Sequence, residues 1–138
     1  MKKVLLSATL FAGFAVVSTS AWSQAACKNR GELDVNYCDE NGDLVADLPK
    51  DQKKWKNPST LVWAYTPVED PAVYEKIFSP STQHLAACTG KKVVFFQVQN
   101  NAAEIEAMRS GRLHVAGFST GPTAFAVNVA GAIPFAVK

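Results

Sequence analysis

The sequence predicts an α/β fold, a parallel sheet flanked by helices, on three observations. From Thr60 onward short, apolar, β-branched runs alternate with segments of helical periodicity. Pro, Gly, Asn and Asp punctuate the boundaries with helix-start and helix-stop signals. The resulting order, β-α-β-α-β-α-β, requires right-handed crossovers and hence parallel neighbours.

Thr60 to Thr66 reads as the first strand through Leu61, Val62, Trp63, Ala64 and Tyr65, and Pro67 ends it. Asp70-Pro71 supplies a cap followed by proline at the first helical position, with Val73, Tyr74, Ile77 and Phe78 on one apolar face. Ser79-Pro80 restarts or kinks that helix, which runs through His84, Leu85 and Cys88 to Gly90. Lys91 to Val98 is expected as a second strand. A second helix begins at Asn100 or Asn101, turns Ile105 and Met108 inward and stops at Gly111. Leu113 to Phe118 forms the third strand, Pro122 to Ala130 the third helix and Ile133 to Val137 a fourth strand.

In such sheets ligands sit beyond the carboxyl ends of the strands, where helix N-termini point. The expected rim therefore carries Tyr65-Thr66-Pro67, Gln99-Asn100-Asn101 and the stretch from Gly117 through Ser119, Thr120, Gly121 and Pro122 to Thr123. The last of these reads as an anion cradle, because its hydroxyls and glycines fall at a strand-to-helix junction. Backbone N–H groups there have no intrahelical acceptor, and the helix dipole favours negative charge. Simple N-capping would need one hydroxyl, whereas Ser119, Thr120 and Thr123 offer three. None of the three loops carries Lys or Arg, so an anion would be held by neutral donors and released again.

The chain has 138 residues and a formal charge of +2. Residues 1–25 read as a secretory signal peptide. Lys2-Lys3 is the positive start, Val4 to Val17 the apolar core, and Ser23-Gln24-Ala25 the small-residue exit, with cleavage after Ala25 or one residue later. The apolar run is shorter than a membrane span requires. Gln24 stands where lipidation of Cys27 would want an aliphatic residue. Without Lys2 and Lys3 the formal charge falls from +2 to 0, and no basic stripe interleaved with aromatics occurs, which argues against a nucleic-acid partner.

Residues 26–59 form a polar, turn-rich arm, and residues 60–138 the lobe proper. Three cysteines in an exported chain suggest one disulfide and a leftover thiol. Cys27 and Cys38 are the preferred pair, being closest in sequence within a segment of little core. Cys88 is either a buried small residue or the partner of a cysteine beyond Lys138. Asp39, Asn41, Asp43 and Asp47 alternate as calcium ligands would. The register fails, however, with Leu44 at the glycine position and Lys50 at the closing acid. A solvated turn is preferred; no metal site and no cofactor motif is expected.

Three further stretches carry a resemblance when added to the cradle. Asp43 to Asp47, Leu61 to Pro71, Ile105 to Gly111 and Gly117 to Phe125 together resemble the periplasmic phosphate/phosphite/phosphonate-type substrate-binding proteins of ABC transporters. The resemblance implies the first lobe of a type II periplasmic-binding-protein fold and a monomeric, non-enzymatic receptor. Such a receptor closes on a small phosphorus-containing anion and delivers it to an ABC permease in the inner membrane. It implies that Ser119, Thr120 and Thr123, with nearby backbone N–H groups such as that of Gly121, grip the ligand oxygens. Tyr65 would face the cleft from the first loop, with Thr66 beside it. Phe118 stands where some relatives carry tyrosine, so any hydrogen bond from that position is absent. The family's second lobe is not in the sequence, so the chain is expected to be the front part of something longer.

Two other readings start from the same residues. Gly117-Phe118-Ser119-Thr120-Gly121 is a literal G-x-S-x-G between a strand and a helix, as in a hydrolase nucleophile elbow. That chemistry needs a histidine later in the chain, and both histidines, His84 and His114, come earlier. Alternatively Trp63, Tyr65 and Tyr74 could wall a site for a flat organic ligand, against which Trp63 and Tyr74 read more simply as core.

Overall fold

The computed structural model describes residues 27–66 and 70–137; the expected signal peptide, Pro67 and Lys138 lie outside the described residues. Three parallel strands, β1 (Thr60–Tyr65), β2 (Lys92–Phe95) and β3 (Val115–Gly117), form a sheet in the order β2-β1-β3. The helices are α1 (Pro71–Ile77), α2 (Ser79–Thr89), α3 (Asn101–Arg109) and α4 (Thr120–Ala130). A partial periplasmic-binding-protein lobe has this architecture.

β1 pairs on both edges, Thr60 to Trp63 with Lys92 to Phe95 and Trp63 to Tyr65 with Val115 to Gly117. Its alternating side chains therefore serve two layers. On one face Trp63 meets Phe78 and Phe95 edge to face, each at 5.2 Å, and its indole N–H donates to Thr82 Oγ1 at 2.8 Å. On the other, Ala64 and Val62 pack with Val98, Ala107, Met108, Leu113 and Ala116. Small residues on this second face let α3 lie close, and burying each large side chain contributes about 1.5–3 kcal/mol.

The break between α1 and α2 falls at Phe78, because Pro80 has no N–H to continue the ladder. The bend drops the Phe78 ring between Tyr74 at 5.7 Å and Tyr65 at 4.8 Å. Gly90 and Gly131 close α2 and α4 in the left-handed conformation. At Gly131 the requirement is double, since a Cβ there would stand 2.5 Å from the Tyr37 ring.

Four expectations are corrected. Residues 133–137 form no strand: among the described residues none runs alongside to accept its hydrogen bonds, and Ile133, Phe135 and Val137 stay exposed. α4 starts at Thr120, two residues before Pro122, which occupies the third helical position. Both flanking strands are shorter than their apolar runs, because each pairs with only part of β1, β2 along Thr60 to Trp63 and β3 along Trp63 to Tyr65. Cys88 is an exposed free thiol near His84 rather than a buried residue.

The arm is more ordered than its polar composition implies. Cys27 and Cys38 are joined by a disulfide with Cα atoms 5.6 Å apart. Leu33 and Ala46 bury against Val127, Asp34 N–H donates to the Asn128 carbonyl at 2.7 Å, and Arg109 lies 3.8 Å from the Asp34 carboxylate. The turn read as solvated has a buried centre. Asp39, 1% exposed, accepts from the backbone N–H groups of Gly42, Asp43 and Leu44 at 2.8–3.0 Å. These bonds hold Leu44 in the left-handed region at φ 69°. Asp39→Ala is expected to cost about 1–3 kcal/mol, because three backbone N–H groups lose a charged acceptor. Urea unfolding should show the loss, with Asp39→Asn falling between wild type and Asp39→Ala.

Candidate functional site

The two strand ends beside β1's carboxyl terminus are pinned together. Tyr65 pairs with Gly117, and the Thr66 N–H donates to the Gly117 carbonyl at 3.0 Å. From this point β1 leads to one side of the sheet, through α1 and α2 to β2, while β3 leads on into α4 on the other. The crevice between β1 and β3 is thus a topological switch point, the usual place for a ligand in an open parallel sheet. Tyr65 lays its half-buried ring against Gly117, where a Cβ would come within 2.5 Å of it. Glycine at 117 is what brings Tyr65 alongside the cradle.

Beyond Gly117 the chain turns into α4. Ser119 sits at the N-cap with φ −78° and ψ 168°, and its side chain makes no capping hydrogen bond. Thr123 returns both its N–H, at 3.1 Å, and its hydroxyl, at 2.9 Å, to the Ser119 carbonyl. Thr120 and Gly121 precede that first helical bond, so their N–H groups belong to the unclaimed donors of a helix start. Ser119, Thr120 and Gly121 are exposed, and no atom lies within 4 Å of where a Gly121 Cβ would be. Of the three hydroxyls in the cradle, that of Ser119 makes no capping bond and that of Thr123 already donates to the Ser119 carbonyl.

Thr66 is turned the other way. Its side chain is buried, with Oγ1 2.6 Å from Glu104 Oε2 and 2.7 Å from Asn101 Oδ1. Glu104 is the residue the sequence reading missed. It lies on the buried face of α3 with Ala107, is 0% exposed, and its second oxygen, Oε1, has no hydrogen-bond partner among the described residues. Burial pushes its pKa up from 4.5 to about 7, and only the Thr66 hydroxyl opposes the rise. The available signal was a carboxylate one helical turn before Ala107, on the same face.

Asn100 caps α3 at the same rim, accepting from Ala103 N–H at 2.9 Å. Two lysines lie at the opposite end of the sheet. Lys91 Nζ is tied to Asn57 and Pro58, and Lys56 Nζ lies close to Gly111, beyond the end of α3. Next to the cradle a groove of about 550 Å³ opens between α3 and α4, lined by Asn101, Ile105, Gly121, Pro122, Phe125 and Val129 among others.

The hydrolase geometry is missing. Ser119 has ordinary extended backbone angles, without the strained turn of a nucleophile elbow. His114 precedes β3 while Ser119 follows it, a separation of roughly 16 Å for five extended residues. Moreover, His114 Nδ1 accepts from the Val62 N–H at 3.0 Å, which gives the imidazole a structural task. Trp63 and Tyr74 pack into the aromatic layer and form no open wall.

A family model described as "ABC transporter, phosphonate, periplasmic substrate-binding protein" matches residues 63–138, more than half of the chain. No curated protein and no solved structure matches it.

Two outcomes follow from this geometry. A serine-reactive fluorophosphonate should leave Ser119 unmodified, read by intact mass; stoichiometric labelling there would revive the hydrolase reading. Because the folded pKa of Glu104 exceeds its unfolded value, the folded state holds the proton longer. Stability should therefore fall as pH rises from about 4.5 to about 7 and then level off. The total is about 3 kcal/mol, and Glu104→Gln should flatten that slope in urea titrations.

Proposed function

The chain belongs to the phosphonate-type periplasmic substrate-binding proteins of ABC transporters, and on that premise we propose that it receives a phosphorus oxyanion at the start of α4. The ligand class is a phosphonate, phosphite or phosphate, taken up reversibly in the periplasm and passed by the monomeric receptor to an inner-membrane permease. The expected leader over residues 1–25 fits that location.

One observation carries the reading: a helix start with unclaimed N–H groups and an unused N-cap hydroxyl lies at the switch point. The Ser119 and Thr120 hydroxyls and the first N–H groups of α4 point where no intrahelical acceptor exists. Tyr65 borders them from β1 across Gly117. The α4 dipole adds about 0.3–1 kcal/mol for an anion at that end, and each hydrogen bond to a charged oxygen about 1.5–3 kcal/mol. Such a set holds an anion without Lys or Arg and leaves it free to depart, as delivery to a permease demands. Thr66 serves this site through its backbone, by fixing β1 to β3, rather than through its inward hydroxyl. No step of this function makes or breaks a covalent bond.

Ser119→Ala and Thr120→Ala should each weaken binding of methylphosphonate, phosphite or phosphate by about 1–3 kcal/mol in isothermal titration calorimetry. Thr123→Ala should cost less in affinity, because its hydroxyl already serves the helix start. Unchanged affinity in both of the first two variants would remove this site from consideration.

A further inference from the structure

Glu104 is joined through Thr66 to the strand end that borders the proposed anion site, and is not used by it. The inference rests on the receptor reading and concerns how that site responds to protons. Two geometric facts carry it. Thr66 Oγ1 has one hydrogen, yet it stands within hydrogen-bond distance of two oxygens, Glu104 Oε2 and Asn101 Oδ1. With the Asn101 amide in this orientation, both contacts are satisfied only when a second proton resides on Glu104. The acid then donates to Thr66, and Thr66 donates to Asn101. The second fact is that Oε1 is fully enclosed with no partner among the described residues, a placement that a neutral carboxyl tolerates far better than a carboxylate.

We propose that Glu104 is a proton-dependent positioning residue for the anion site: its neutral acid is the form that binds, and the bound anion and the Glu104 carboxylate exclude each other. The ligand therefore enters an ionised protein together with one proton, taken from solvent onto Glu104. Ionisation withdraws the Thr66 hydrogen from Asn101 and places a negative charge at the end of β1, where the Thr66 N–H holds the Gly117 carbonyl.

Among the described residues, little on the elements around Glu104 could neutralise that charge. β3 and α4 contain no titratable side chain, and β1 contains only Tyr65. His114, just before β3, is held by Val62. On α3, Arg109 faces Glu106 at 3.7 Å and Asp34 at 3.8 Å. Asp70, at the start of α1, is exposed and of the same sign. Burial also places the Glu104 titration near neutrality, where the periplasm's external pH would act on it.

The test compares methylphosphonate affinity of the protein and of Glu104→Gln across pH 5.5 to 8.5. The ligand's own ionisation is common to both proteins and cancels in the ratio. The side-chain amide of the variant can still donate to Thr66, so Glu104→Gln should bind like wild type at pH 5.5. Above pH 7 wild type should fall behind it by about fivefold or more. Calorimetry near pH 7 in two buffers of different ionisation enthalpy should show extra proton uptake in wild type alone. Superimposable pH profiles overturn the proposal while leaving the receptor intact. Absence of binding in both proteins at every pH overturns the receptor reading and this inference with it. Should Glu104→Gln fail to fold, carbon-13 NMR of the labelled wild-type carboxyl decides. Its titration midpoint should rise when methylphosphonate saturates the protein, and an unmoved midpoint refutes the coupling.

Discussion

Everything in this lobe is referred to β1, a strand with parallel neighbours on both edges and a helical layer on each face. Its double pairing fixes register on both sides at once, and a one-residue slip would exchange the Trp63 and Ala64 faces. The aromatic layer and the small-residue layer cannot trade places. Trp63 needs the gap beneath the Phe78 bend, and α3 needs the close approach that Ala64 and Ala107 allow. The same register sets Tyr65 opposite Gly117 and so decides which groups meet at the carboxyl ends of the strands.

The site at that end is built from donors of modest individual strength. As proposed, a helix start and two hydroxyls would suffice because they are held by secondary structure, so that little conformational entropy would be lost on binding. The loops that form the rim carry no Lys or Arg, so the cradle has no cation of its own. That absence makes the environment of Glu104 consequential. In a site ringed by arginines a buried carboxyl would be neutralised by its neighbours, whereas Glu104 has no ion-pair partner among the described residues.

Much of this was legible in the sequence, and the reasons differ from residue to residue. Leu61 to Tyr65, the break before Pro80, and the stops at Gly90 and Gly111 follow from backbone chemistry that operates locally. Ser119 and Thr120 were readable as donors because a strand-to-helix junction offers unclaimed N–H groups whatever surrounds it. What was not legible depends on distant partners. The run at Ile133 to Val137 has strand composition, but a strand exists only beside another, and none is there among the described residues. The arm reads as polar, yet Asp39 organises it from inside by collecting three N–H groups. Glu104 escaped notice because a lone acid in a helix is ordinarily solvated; only the approach of Thr66 across the layer shows it to be enclosed.

The pairing of β1 also fixes when the lobe can assemble. Its first neighbour, β2, arrives only after α1 and α2, and its second is still more remote: the Val62 amide waits for His114, 52 positions along the chain. Such long-range closure places this lobe among slow-folding, high-contact-order topologies. Until His114 and Gly117 have followed, β1 carries an unpaired apolar edge and remains soft. A chain with that schedule stays threadable while it is being made, the condition in which a polypeptide can pass through a narrow channel before committing to its shape.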